Sequence, residues 1–519
     1  MTVAQGRRLL LGGRVHTPAG SRATAMLTVN GSIAWIGDDA QARSLAEDAD
    51  EIVPLDGALV TPAFVDAHVH LTSTGLSLAA LDLSRCASAA ELLAVVAAAA
   101  PSDGVVLGFG WDDSSWPGPP PPRAELDVAC GGRPAYLSRV DVHSALASSA
   151  MLALVPEATA LAGFDDSGPL TAEAHHAVRE AALVRVTPAQ RHAAQRAALE
   201  RAARRGIACV HEMGGPTISS PEDLVEVLAL GHRPDLPAVI GYWGELGAVE
   251  RALSLGARGA AGDLFIDGSL GSRTACLRAP YADAPHSSGI AYLTEDEVAE
   301  HLIAATRAGC QAGFHVIGDA AADMAVAGLR RASAELGTEA VRSARHRLEH
   351  AEMLDPDHMR CLAELGVVAS VQPAFDAAWG GTTGMYARRL GVPRALALNP
   401  FAALEEAGTP LALGSDSPVT ELDPWGTVRA AAWHRTPQSR IDVAAAFAAH
   451  TRGGRLAAGE EKTEPGLLAP GLPATYAVWQ VEGPGMQWAM PDLDPDMPLP
   501  VCVRTVRAGV DLYDAGEWR

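Results

Sequence analysis

Apolar and polar positions change rhythm twice along this chain. Over residues 1–60, short alternating pieces (Arg8–Leu11, Ala25–Val29, Ile33–Ile36) are separated by Gly, Asn and Asp, which predicts a small β-domain. From residue 61 onward, apolar runs of strand length alternate with Ala-rich helical stretches, the pattern of a parallel α/β fold. The predicted strands are Ala63–Val69, Ala135–Val140, Ile207–His211, Val239–Trp243 or Leu264–Asp267, Gly313–Ile317, His346–His350, Val367–Val371 and Pro410–Gly414. That is eight strands, the number in a TIM barrel. Val105–Phe109 is also strand-like and must then belong to an insertion. The barrel would cover about 61–440, longer than the roughly 250 residues typical, with the insertion at about 105–200. Within it, Trp111-Asp-Asp-Ser-Ser-Trp116 and the Gly-Pro run to Pro122 read as a rigid loop. Over 441–519, a helix (Asp442–His450) and short strands (Tyr476–Gln480, Pro500–Val506) would complete the N-terminal β-domain. The predicted fold is α/β: a (β/α)8 barrel with a small β-sandwich domain built from both termini.

Composition narrows the partners. Of the 519 residues, 48% are hydrophobic and 20% charged, enough to bury a large core. A formal charge of −22 speaks against nucleic acid or anionic membrane, because a phosphate-binding surface needs a basic patch. No uncharged apolar stretch reaches the roughly 18 residues of a membrane span. The Ala-rich run from Ala87 to Ala100 contains Glu91 and reads as a helix, and the opening segment has too short an apolar run for a signal peptide. Seven scattered cysteines without a Cys-x-x-Cys pair read as reduced thiols of a cytoplasmic protein. A small-molecule substrate is the expected partner, and a homodimer is compatible with this composition.

Chemistry concentrates at strand ends, where barrel active sites lie. His68 and His70 are one residue apart on a strand and so share a face, as two ligands of one transition-metal ion would. The other strand ends carry His143, His211-Glu212, Asp267, His315, Glu349-His350, Gln372 and Asp416. Each alone has a structural explanation: a turn cap, a satisfied core histidine, a bond to backbone. So many together are harder to explain, because buried polar groups cost free energy unless paired. A shared metal ion would satisfy them at once.

Five motifs occur in order: the His68-x-His70 strand, Asp267-Gly-Ser-Leu-Gly-Ser-Arg-Thr-Ala275, Phe314-His-Val-Ile-Gly-Asp319, Arg347-Leu-Glu-His350 and Leu413-Gly-Ser-Asp-Ser417. Together they resemble the amidohydrolase superfamily, and within it amidohydrolase family 3, which includes N-substituted formamide deformylases. The resemblance implies a metallo-hydrolase barrel with His68, His70, His315, His350 and Asp416 as ligands. Many relatives also carry a carbamylated lysine on the fourth strand that bridges two metals. Here Asp263 stands at that point, and the one lysine, Lys462, lies beyond the barrel, so no carbamylated lysine is available. An aspartate is several bonds shorter, which predicts either a single ion or a bridge from another carboxylate such as Glu212 or Glu173; one ion is favoured. Zn²⁺ is the expected metal, since it lowers the pKa of a bound water from 15.7 to about 7.

The implied reaction is hydrolysis of an amide, formamide or cyclic amide C–N bond, with Asp416 as general base and His350 polarising the carbonyl. A metal-dependent deaminase of a ring substrate, or a non-catalytic protein on the same scaffold, would share these residues. Trp111, Asp112, His143, Arg273 and Gln372 are the candidates for holding substrate, with Trp116, Trp379 and Tyr386 also on loops. Arg273 would bind a substrate carboxylate or brace its loop, and the tryptophans would line a pocket or cover outer helices.

Overall fold

In the computed structural model, which describes residues 6–18, 22–99, 104–482 and 490–516, eight parallel strands stand in sequential order around a barrel. Residues 1–5 of the opening segment and Ala100 lie outside the described residues; the Ala-rich run forms the helix Ala89–Ala98, with Ser88 accepting from the Glu91 amide at its start. The barrel strands are β1 (Phe64–Val69), β2 (Ile207–Gly214), β3 (Ala238–Trp243), β4 (Gly259–Ala260), β5 (Gln311–Val316), β6 (Arg347–His350), β7 (Val368–Val371) and β8 (Leu411–Leu413). Closure comes just beyond β8. There Val69 bridges Ser417, the His70 amide donates to Ser417 O at 2.9 Å, and the Asp416 amide donates to His68 O at 2.8 Å. Buried backbone groups must find partners, so this seam is obligatory, and it sets Asp416 beside His68 and His70.

One strand was assigned to the wrong sheet by its pattern. Ala135–Arg139 is not in the barrel; it pairs in parallel with Val106–Trp111 and antiparallel with Ser144–Ala147, in a five-stranded sheet edged by Leu81–Asp82 and Leu170–Thr171. All five of its residues are buried, and a doubly buried apolar run looks the same in any sheet. The eighth place in the barrel belongs to β4, only two residues long. Gly262 at φ +92° breaks the ladder after it, and the chain rejoins β5 through a parallel bridge between Phe265 and His315. The runs Val239–Trp243 and Leu264–Asp267, weighed as alternatives in the sequence, therefore both belong to the barrel wall. The extra sheet occupies much of the stretch where an insertion at about 105–200 is expected, although its first strand already lies at Leu81. Helix Pro188–Arg204 packs back on helix Leu71–Ala79 and returns the chain to β2.

Two further sheets come from the termini. Strands Ser32–Gly37, Ala25–Val29, Arg7–Leu11 and Glu51–Pro54 form one; Arg14–Val15, Leu59–Pro62, Tyr476–Gln480, Val501–Arg507 and Val510–Asp514 form the other. They share one core that includes Leu10, Met26, Val60, Tyr476 and Val503, as sandwich sheets do. Arg8 pairs with Asp511 at 2.7 Å, tying the first strand to the last. Trp479 donates to Thr61 Oγ1 at 2.9 Å and packs edge-on against Phe64 of β1, seating this domain under the barrel floor. Among the described residues, no helix is long and apolar enough to cross a membrane.

Candidate metal centre

Strand alternation puts Asp66, His68 and His70 on one side of β1, facing the barrel interior. On β6 it puts Arg347 and Glu349 inside and would send His350 to the other face. The backbone reverses this: His350 has φ +69° and Ala351 φ +50°, so the imidazole turns into the barrel mouth. Asp416 sits at φ +54°. Non-glycine residues held there cost on the order of 1–3 kcal/mol each and collect at functional sites. Gly414 has a different constraint. A Cβ built on it would stand 2.7 Å from the His68 nitrogen and 3.1 Å from Asp66 Oδ1, so only glycine lets β8 approach β1 this closely.

Each histidine has one nitrogen spoken for by an acceptor, which fixes its tautomer. His68 Nδ1 donates to Glu349 Oε2 at 2.8 Å, His70 Nδ1 to Met213 O at 3.0 Å and His350 Nδ1 to Gln372 Oε1 at 2.8 Å. His315 is reversed, with Nε2 donating to Gly268 O at 3.2 Å. The remaining nitrogens carry lone pairs toward one another. Buried His68 Nε2, His315 Nδ1, His350 Nε2, Asp263 Oδ1 and Asp416 Oδ1 have no hydrogen-bond partner. Unpartnered buried acceptors are expensive, and a cation shared among them removes the cost.

Behind His68, Arg347 holds Glu349 through two hydrogen bonds, and also reaches Ala67 O at 2.7 Å and Ser370 Oγ at 2.9 Å. Burial alone would raise the Glu349 carboxyl, but the Arg347 guanidinium and His68 bring it down to about 2. It is therefore a permanent anion that orients His68 and strengthens it as a donor. Glu349→Gln is expected to weaken metal affinity by about 10- to 100-fold with the fold retained, read by titration with a competing chelator.

Asp263 occupies the centre. Its Oδ2 lies 3.2 Å from His70 Nε2 and 3.6 Å from His68 Nε2, while its Oδ1 lies 3.5 Å from His315 Nδ1 and 3.7 Å from His350 Nε2. Asp416 Oδ1 completes the first group at 3.2 Å from His70 Nε2 and 3.4 Å from His68 Nε2. Two donors bound at about 2.1 Å with a tetrahedral angle lie about 3.4 Å apart, so these spacings suit ligands of shared ions. Side-chain length predicts an aspartate too short to face both groups; it does face both, and Gly262 at φ +92° turns the chain just before it. Burial raises the Asp263 carboxyl, but the surrounding imidazoles, His68 foremost, hold it well below the usual range. His70, which burial would keep neutral, is pushed up to about 9 by Asp263 and Asp416. Both shifts express a pocket whose carboxylates demand positive charge.

The sequence matches the amidohydrolase family over residues 51–513. The chain belongs to that family. Protein LONG AFTER FAR-RED 3 of Arabidopsis thaliana is 30% identical over 501 residues, spanning 88% of this chain and 84% of its own. An N-substituted formamide deformylase of Arthrobacter pascens is 24% identical, spanning 78% and 79%. A solved structure of an uncharacterized metal-dependent hydrolase from Pyrococcus furiosus superposes with a TM-score of 0.71 at 28% identity, covering 91% of this chain and 98% of that one. At the level of the family, this amidohydrolase is a metal-dependent hydrolase of carbon–nitrogen bonds.

Other residues of this amidohydrolase fall differently from their sequence reading. Glu173 is exposed on helix Ala172–Leu183 and takes no part in bridging. Glu212 is buried but turned to the Leu71 amide (2.7 Å), which it caps; burial pushes its carboxyl up to about 7. His211 lies a layer below the donors, accepting from Arg347 at 3.2 Å. Asp267 staples loops together, accepting from the amides of Cys276, Ile317 and Gly318. Trp111 and Trp116 are core residues of the inserted sheet, their indoles donating to Leu137 O and Cys86 O. Asp112 is occupied by Arg139 (2.7 Å) and the Trp379 indole (3.2 Å). Arg273 pairs with Asp283 at 2.8 Å and so braces its loop; it does not line the cavity. Gln372 acts through His350. His143, Trp379 and Tyr386 do line the cavity, with Phe375 and Glu352. Sequence reading missed His176, Arg179 and Phe265, which line a second small cavity against His70, Asp263 and His315. His176-x-x-Arg179 has the look of any solvated helix face, so no signal marked it.

Proposed function

We propose that this chain hydrolyses the C–N bond of a small amide, with two divalent cations held on either side of Asp263. The observation that carries this is the set of buried, unpartnered donor atoms converging from β1, β5, β6 and the loops after β4 and β8. His68, His70 and Asp416 would hold one ion, His315 and His350 the other, with Asp263 shared. When bound, such ions polarise the amide carbonyl and acidify water. Asp416 borders both cavities, so it can reach an attacking water on one side and the leaving group on the other. It takes a proton from water and returns one to the departing nitrogen as the C–O bond forms and the C–N bond breaks, giving carboxylate and amine. His143 borders both cavities as well. Burial, with His315 next, holds it well below its ordinary pKa, so it is neutral and offers a hydrogen bond to the carbonyl oxygen. The two cavities are small, about 30 and 20 Å³ for water-sized occupants, which suits a compact acyl group such as formyl. The formamide deformylase among the relatives agrees with that choice.

Chelation tests the reading. Stripping the protein is expected to abolish hydrolysis of N-formyl and N-acyl amines. Restoring Zn²⁺ at a thousandfold excess over its Kd is expected to return it and to stabilise the fold by about 4 kcal/mol, seen as a higher Tm. Unchanged melting on reloading, with no rate on any amide, would remove the proposal.

A further inference from the structure

At the edge of the donor cluster, Arg179 is a cation that forms no ion pair among the described residues. It sits on helix Ala172–Leu183, three residues after His176, so the two share a helix face, and both line the cavity that also touches His70, Asp263, His315, His350 and Asp416. The opposite face of this helix, Ala174, Val178 and Ala182, is buried. Among the described residues, the Arg179 guanidinium meets no carboxylate, carbonyl or aromatic ring. Its neighbours register the bare charge: burial and then Arg179 hold His176 down to about 4, so that ring is neutral.

The contrast with Arg139 is instructive. Arg139 borders the other cavity, but Asp112, Asp113 and Asp141 all contact it at 2.7–3.0 Å and leave it no spare charge. Phe375, Trp379, Met385 and Tyr386 also wall that cavity, together with the buried carboxyl of Glu352. One side of the donor cluster therefore offers aromatic rings and the Glu352 carboxyl, and the other carries an open guanidinium fork, the shape that binds carboxylates in bidentate fashion.

We infer that Arg179, flanked by His176 and His143, is the recognition site for a carboxylate on the substrate, which makes the substrate class small amides bearing a carboxylate near the scissile bond. The inference rests on the proposed hydrolysis at the same cavity and deepens it. An N-acylated amino acid, or the half-amide of a dicarboxylic acid, has the required chemistry.

Two matched pairs of probes test it: N-formylphenylalanine against N-formyl-2-phenylethylamine, and N-benzylsuccinamic acid against N-benzylbutanamide. In at least one pair the carboxylate member is expected to have the higher kcat/KM. That ratio should fall about 10- to 100-fold in Arg179→Met and recover in part in Arg179→Lys, the range for a hydrogen-bonded charge. A ratio unaffected by Arg179→Met in both pairs overturns the inference and leaves the hydrolase reading standing. Calorimetric binding of N-acetylphenylalanine to the full chain, with and without chelator, separates the two ideas. If no amide is hydrolysed, the hydrolase reading fails, yet binding weakened at least tenfold by Arg179→Met still supports the anion site. Binding that the substitution leaves unchanged overturns it. Arg179 makes no contact whose loss would unfold the protein, and matched melting curves verify this.

Discussion

Asp263→Asn is expected to purify with at most one divalent ion per chain, against the two proposed for the native protein, and to lose about 10³-fold or more in kcat. Asp263 has one oxygen on each histidine group, and the amide offers a single acceptor and a pair of N–H donors instead. Whichever way the amide turns, one group faces N–H protons where it had a carboxylate oxygen. The second group then keeps only two imidazoles, His315 and His350, too few for a tightly held ion. The rate estimate follows from the several kcal/mol of charge stabilisation a metal contributes, at about 1.4 kcal/mol per factor of ten. Plasma mass spectrometry on the purified variant gives the metal count, and steady-state kinetics with a formamide gives kcat. Two ions retained in the variant would show that Asp263 does not bridge.

Asp416→Asn should separate binding from turnover. Its Oδ1 lies close to both His68 and His70, and the amide oxygen of asparagine can take the same position. An amide cannot accept a proton at neutral pH. Metal content is therefore expected to stay within about a factor of two of native while kcat falls about 10²- to 10⁴-fold, the range for losing a general acid–base group. The positive φ of Asp416 also favours this substitution, because asparagine tolerates the left-handed region as well as aspartate does. A variant with native turnover would show that the proton carrier is another group.

The barrel was legible because most of its strands are apolar runs with polar residues at or near their carboxyl ends, and seven of the eight strands were located in the sequence. β4 was not, since two residues and a glycine kink leave no periodicity to read. Ala135–Arg139 misled for the opposite reason: its pattern is perfect and its partners are in another sheet. The same holds for the tryptophans. Trp111 and Trp116 are loop-like in sequence, but the sheet they belong to buries them, whereas Trp379 reaches the cavity wall.

The four histidines and Asp416 were named as ligands by the family resemblance that their motifs carry; strand ends and spacing marked them only as polar residues gathered at one mouth of the barrel. The placement of Asp263 is decided elsewhere. Side-chain length alone makes an aspartate look too short to face both histidine groups, and only the tertiary structure sets one oxygen toward each. Arg179 is the plainest case. Nothing in its local sequence sets it apart, and the reading proposed for it depends on its pairing with no carboxylate among the described residues while lining the same cavity as Asp263 and Asp416. Covalent spacing determines what a side chain can do, while the presence or absence of a counter-charge belongs to contacts between segments far apart in the chain, which only the closed barrel and its inserted helix establish.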